Sequence, residues 1–327
     1  MSTITPAAVY PVQAPHNTNP AASGTFIPTV WSSKLNVKFY AQTTFGSVSN
    51  TNWEGDIKNM GDKVVINNIP SISINAYTVG MTLNYEVPTP DTIELQVDKG
   101  FYFGVNVSDV IEYQAQPNLM DMFTGDAANQ LKIKVDRECF AATFQGADAA
   151  NKGATAGKIS GNYNLGTDLA PLDYTAAGVE ILKTITALAS VLDEQDVPES
   201  DRFLILTPYE RQLLMHSPLG QAYVTGDSQS PLRNGKLGRI DRFDLYISNL
   251  LPTAAAAQDY SGGALASALK RHVIIAGHKS ALTFASQISK TEHLRNPSDF
   301  GDLVRGLMVY GRKTVKGAAL AFAQVKG

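Results

Sequence analysis

Apolar and polar residues alternate at three places between residues 62 and 107. Val64 with Ile66, Ile72 with Ile74, and Ile93 with Leu95 and Val97 each sit between polar neighbours, the period-two pattern of strands with one dry face. The stretch VPTPD (87–91) separates the second run from the third, and its prolines, Pro88 and Pro90, cannot continue a hydrogen-bonded ladder. The pattern predicts a long β-hairpin that turns at VPTPD and is polar on one face. A two-stranded ribbon is marginal alone in water, so this one must lie against its own body or a neighbouring chain.

The longest helical period spans residues 118–145. Leu119, Phe123, Ala127, Leu131, Val135 and Cys139 recur every fourth residue, Pro117 precedes the start, and Gly146 follows the end, where a left-handed cap is easy. Lys132 with Asp136 and Lys134 with Glu138 form i,i+4 pairs expected on the outer face. A second helix is predicted over 175–194, with Val179, Leu182, Ile185, Leu188 and Leu192 on one stripe. FLIL (203–206) is a fully apolar strand. TPYE follows at once, with Thr207 as N-cap, Pro208 at N1 and Glu210 at N3, a capping box that starts a helix over 208–215.

Downstream, Phe243, Leu245 and Ile247 alternate with polar residues after the glycine-punctuated turn NGKLG, and HVIIAG (272–277) reads as a strand. HKSALTFASQI (278–288) fits helix or strand, and residues 303–310 and 319–325 read as strands beyond a polar joint at 295–302. At the front, residues 29–45, with Trp31, Leu35 and Phe39, fit a short amphipathic helix or an extended piece. Residues 1–27 are rich in Pro, Ala, Thr and Asn without hydrophobic period, as in an arm that orders on a partner or a frayed terminus.

The 327 residues are long enough for two packing regions. Charged residues are few, at 17%, as on surfaces that copies of the same chain will cover. A net charge of −3 argues against wrapping nucleic acid by phosphate neutralisation. One cysteine, Cys139, forbids an internal disulfide and fits a reducing cytosol. Residues 1–24 lack a basic leader followed by an apolar core, and no run approaches the ~18 apolar residues of a membrane span.

Reactive chemistry is sparse. GATAGKIS (153–160) falls one residue short of a phosphate-binding loop and places Ile159 where a hydroxyl should bind magnesium. His16, His216, His272, His278 and His293 match no compact metal-ligand spacing. Cys139 lies mid-stripe, as a core residue does. No G-x-S-x-G elbow occurs. The sequence therefore presents no catalytic, cofactor or metal residues, and a cryptic enzyme would have to use His272 and His278.

The order of elements resembles the major capsid proteins of tailed bacteriophages, with the fold named for phage HK97: a loose arm, a short element, a long two-stranded loop, one long helix, then a mixed α/β half. The pattern Gly235, Gly238, Phe243, Ser248, Asn249, Pro252 resembles a segment recurrent in the second half of these proteins, and YGRKTVKGAALAFAQV resembles their C-terminal strand pair. The resemblance implies an α+β fold with an arm (1–27), a helical or extended segment (28–61), an extended loop (62–107), a peripheral domain with the spine helix (108–160), an axial domain with adjoining strands (161–290) and closing peripheral strands (291–327). It also implies a non-enzymatic shell protein, self-assembling as hexamers and pentamers into an icosahedral head around double-stranded DNA. A scaffolding protein and portal would be partners, with no sequence-specific DNA contact, no membrane and no cofactor. Assembly would take place in the host bacterial cytoplasm, with the virion as destination. Expected interface residues are Trp31, Ile72, Ile74, Tyr77, Tyr85, Pro88 and Pro90. An encapsulin-like compartment shares the fold and is the alternative.

Overall fold

The computed structural model describes residues 40–53, 63–70, 72–82, 85–89, 92–108, 119–176, 178–217, 238–253, 271–297 and 300–326. In chain order the elements are α1 (Phe45–Val48), β1 (Lys63–Asn67), β2 (Thr92–Gln96), β3 (Lys99–Ser108), α2 (Leu119–Thr143), α3 (Ile181–Asp193), β4 (Arg202–Leu206) and α4 (Pro208–His216). They continue with β5 (Arg239–Ile240), β6 (Phe243–Ile247), β7 (Arg271–His278), β8 (Leu282–Arg295), β9 (Gly301–Thr314) and β10 (Leu320–Lys326).

One sheet has the order β3-β9-β8, antiparallel throughout. Alternation along β3 and β9 turns Val107, Val304 and Tyr310 inward and leaves Tyr102 and Leu307 on the other face. Helix α2 lies on the inner face. Its buried residues fall in its second half, at Val135, Cys139 and Phe140, whereas Met122 and Phe123 near its start are 41% and 45% exposed. Phe45 of α1 meets Phe140 edge-on at 5.2 Å and Phe284 of β8 at 5.7 Å, tying helix to sheet.

The two carboxylates expected on the outer face of α2 point inward instead. Asp136 accepts the Thr44 and Phe45 N–H groups at 2.6 and 3.1 Å, anchoring the start of α1. Burial raises its pKa above the ordinary carboxylate value, and those two bonds oppose the rise. Glu138 accepts the Tyr310 hydroxyl at 2.8 Å and the Arg312 Nε at 2.7 Å, and also meets Arg312 Nη2. A two-pronged, largely buried guanidinium contact outweighs the few tenths of a kcal/mol, about 0.3–0.5, of an exposed i,i+4 pair.

The second sheet has the order β10-β7-β4-β6-β5, with β4 and β6 parallel and the other neighbours antiparallel. All five β4 residues are buried because that strand is central, which accounts for its unbroken apolar run. The capping box forms as the sequence predicts, with Glu210 accepting the Thr207 N–H at 2.9 Å. Helix α3 starts at Ile181 rather than at residue 175, after Gly178 at φ 87°. Between β5 and β6 both turn residues, Asp241 and Arg242, have positive φ (43° and 68°), the backbone that a two-residue hairpin requires.

The segment left open between helix and strand is β8, with a bulge between Ser286 and Ile288. The last two strands join different sheets. A single 3₁₀ turn, Gly317–Ala319, carries the chain from one to the other. Asn151 holds that turn, donating its amide to the Ala318 and Leu320 carbonyls at 2.7 and 3.0 Å while its own oxygen accepts Gln195 at 2.9 Å.

The long loop begins and ends in a ribbon of β1 and β2, antiparallel from Lys63↔Gln96 to Asn67↔Thr92. Its dry face, Val64, Ile66, Ile93 and Leu95, packs with Val97 on Ala285, Val309 and Val315 of the same chain. Gly311 of β9 permits the approach, since a Cβ there would lie 2.6 Å from the Gln96 carbonyl. The 72–74 run is not a strand, and the chain reverses at Thr78–Met81 rather than at 87–89, while residues 90 and 91 of the expected turn lie outside the described residues. Met81 N–H bonds the Thr78 carbonyl at 3.2 Å around Gly80, whose φ is 91°. Ser73 donates its N–H and hydroxyl to Glu86 at 3.1 and 2.5 Å. The β1–β2 pairs, Ser73 with Glu86, and Thr78 with Met81 all centre on the Val79–Gly80 bond.

Breaking the Glu138–Arg312 contact from one side strands a buried charge. Arg312→Leu should cost about 3–5 kcal/mol in denaturant unfolding, and Glu138→Leu with Arg312→Leu clearly less; equal costs would contradict a paired, buried role. In the loop, the Ser73 hydroxyl, then its N–H, holds Glu86 below the ordinary value of 4.5. A depressed folded pKa means the contact is complete above the unfolded value and is lost as pH falls through the folded one. The Ser73 amide resonance should therefore titrate with a midpoint below 4.5; a midpoint at or above it would show the two arms unpaired.

Candidate assembly surface

Beyond its seated root, the loop carries a concentration of exposed apolar side chains. Ile72, Ile74, Tyr77 and Tyr85, expected from the sequence as interface residues, are 62%, 93%, 67% and 83% exposed, and Pro88 is exposed on the same loop. Trp31 and Pro90 lie outside the described residues, as does the arm, 1–27. Ile69, Val79 and Val87 join the set at 95%, 95% and 85% exposure. Val87 stands in the expected VPTPD turn, and Ile69 and Val79 fall outside the alternating runs that mark the other candidates. Isolated exposed apolar residues are ordinary, but a row of them on one protruding element marks an interaction site.

The residues that could have carried chemistry are otherwise engaged. His272 and His278 stand at opposite ends of β7, six residues apart, or about 20 Å along a strand, too far to share a ligand. His272 Nε2 meets the buried Glu210 carboxylate that also caps α4. Burial lowers the His272 pKa, and Glu210 opposes the shift. His278 Nδ1 accepts the Ser280 N–H at 3.1 Å. His293 lies 3.6 Å from Asp302 on the exposed sheet. Burial pushes the Cys139 thiol well above its ordinary pKa. Among the described residues, no group of three or more His, Cys, Asp or Glu is placed to hold a metal, and no helix is long and apolar enough to cross a membrane.

GATAGKIS does present backbone N–H groups to an anion, but the anion is the chain's own. Glu194, just past α3, accepts the Ile159 and Ser160 N–H groups at 2.8 and 3.1 Å. The Ser160 hydroxyl, then the Ile159 N–H, holds its pKa below the ordinary value. The near-match to a phosphate loop thus reflects a real amide nest that a side chain fills.

A search of curated proteins found no match. Solved structures similar over nearly the whole chain include one from Mycobacterium phage Che8, at 22% identity and TM-score 0.69, covering 91% of this chain and 96% of that one. The capsid of cyanophage P-SCSP1u matches at 16% identity and TM-score 0.68, covering 92% and 93%. The mature capsid of bacteriophage PhiM1 matches at 15% and 0.63, covering 91% and 90%. These likenesses establish the HK97-like fold. The sequence pattern of the family described as phage capsid protein matches residues 90–320, more than half of the chain, and the chain belongs to that family.

Proposed function

We propose that this chain is the major head protein of a tailed bacteriophage. Hexamers and pentamers of it would close into an icosahedral shell around double-stranded DNA, built in the host cytoplasm with a scaffolding protein and a portal. One observation carries the reading beyond family membership: among the described residues, the loop packs on its own chain at its root, while Ile69, Ile72, Ile74, Tyr77, Val79, Tyr85 and Val87 are exposed. Burying a Val, Ile or Leu side chain is worth roughly 1.5–3 kcal/mol, so a neighbouring copy that covers the row gains substantially. Many such contacts, each reversible, make a stable shell that can still correct errors.

Roles by region follow from this reading. The arm (1–27) crosses onto neighbours, and the loop lies over the adjacent subunit. The three-stranded sheet with α2 forms the peripheral domain, and the five-stranded sheet contributes the axial domain facing the capsomer centre. The net charge of −3 suits a wall that contains DNA without condensing it. As a member of the capsid family, the chain would act by shape rather than as an enzyme.

Tyr77→Asp combined with Val79→Asp tests this. Both side chains are exposed on the single chain, so unfolding free energy should change by no more than about 0.5 kcal/mol. Sedimentation should show shells lost and capsomers or monomers in their place. Particles of normal mass and yield would refute the role given to the loop.

A further inference from the structure

The three-stranded sheet stops at β3. Among the described residues this ten-residue strand pairs with β9 alone. In an antiparallel pair every second residue turns its N–H and C=O away from the partner, so β3 offers a row of open donors and acceptors. The fold blunts edges elsewhere. Leu165 and Leu172 cover β10, accepting the Gln324 and Lys326 N–H groups at 2.8 Å, and Leu172 also donates to the Gln324 carbonyl at 2.9 Å. Asn50 bonds Leu282 and Phe284 at the start of β8, at 2.8 and 3.0 Å, and β5 has two residues. By contrast β3 carries none of the devices that keep an edge from pairing. Its register with β9 is unbroken, it holds no proline, and its one charged residue, Lys99, stands at its start.

The inward face of β3 is unfinished for the same reason. Phe101 lies beside Tyr310 and under Lys134 of α2, yet Phe101, Phe103 and Val105 are only half-buried. We propose that β3 pairs antiparallel with β3 of a second copy across a two-fold axis that passes through Gly104, normal to the sheet. The result is one continuous sheet of order β8-β9-β3-β3-β9-β8. A two-fold contact uses the same patch on both copies, and β3 fits its own image. About Gly104, Phe103 stands opposite Val105 and Phe101 opposite Val107, aromatic against β-branched, pairs that stabilise neighbouring strands. Those half-buried side chains gain neighbours on the inward face. The two Lys99 side chains fall at opposite ends, about 34 Å apart, and residues 100–108 bring no other charge to desolvate. A second copy is at hand because the chain belongs to a capsid family. The pairing makes no use of the long loop and goes beyond its role.

Gly104→Cys tests it in the full chain. A Cβ at that position meets nothing within 4 Å, and the native Cys139 is buried. Directly opposed residues have Cα atoms about 4.5–5.5 Å apart, within the roughly 4.4–6.8 Å that a disulfide spans. Oxidised particles should yield most of the chain as covalent dimers linked at residue 104. Asn106→Cys, whose two copies would stand about 13–14 Å apart, should yield none. Shells of normal mass without the 104 link, or equal linking in Asn106→Cys, would overturn the pairing and leave the shell role standing. In the unaltered chain, every second β3 amide should exchange quickly when dilute and several-fold more slowly in the particle. Unchanged exchange would overturn the pairing, and so would protection without the 104 link, since another segment would then cover the edge.

Discussion

A two-stranded ribbon cannot hold itself in water, and the architecture answers that constraint on one small surface. Ile66, Leu95 and Val97 sink between Ala285, Val309 and Val315, and Gly311 lets the ribbon's backbone close on β9. That seat aims the loop. Beyond it, Ser73 bonds Glu86 across the loop and the chain turns at Thr78–Met81, with exposed apolar residues on both sides of that turn. A contact surface of this kind depends on its base being stiff. β9 supplies the stiffness, since it pairs with β3 and β8, carries the Arg312 that grips α2, and floors the seat of the ribbon.

The five-stranded sheet is joined to this arrangement through a short covalent passage. After β9 the chain makes one 3₁₀ turn, pinned by Asn151, and enters β10 beside β7. The stretch from Arg239 to Ile247, which holds no reactive group, is a tight hairpin at the sheet's edge. Its Arg242 reaches Asp193 and Glu199 at 3.2 and 2.9 Å and fastens the turn to the end of α3. Its value lies in shape, as it does for the rest of a capsid protein.

Much of this was legible in the residues. Period-two runs marked β1, β2 and β6, an unbroken apolar run marked the central β4, and Thr207, Pro208 and Glu210 announced α4. The order of elements and the soft motifs pointed to the family. Three features were not legible, each for a physical reason. Prolines at 88 and 90 break hydrogen bonds but do not reverse a chain, so the turn fell at Gly80. Helical spacing shows that Asp136 and Glu138 are neighbours of lysines, but not that Thr44 and Arg312 offer better partners across the core. Local pattern also cannot assign β9 and β10 to different sheets, because strand order depends on residues far apart in sequence. Among the interface candidates, the exposure of Ile72, Ile74, Tyr77 and Tyr85 was foreseeable from a ribbon with little body beneath it. Ile69 and Val79 fall outside the alternating runs, so period two did not mark them.

The division of the loop into a root held by its own chain and a tip held by another is the central claim, and amide hydrogen exchange measured on dilute chain and on assembled particles tests it most directly. Residues 93–97 should exchange slowly in both states, and residues 72–82 should exchange quickly in the dilute chain and slowly in the particle. Slow exchange of 72–82 in the dilute chain, or fast exchange in the particle, would contradict it.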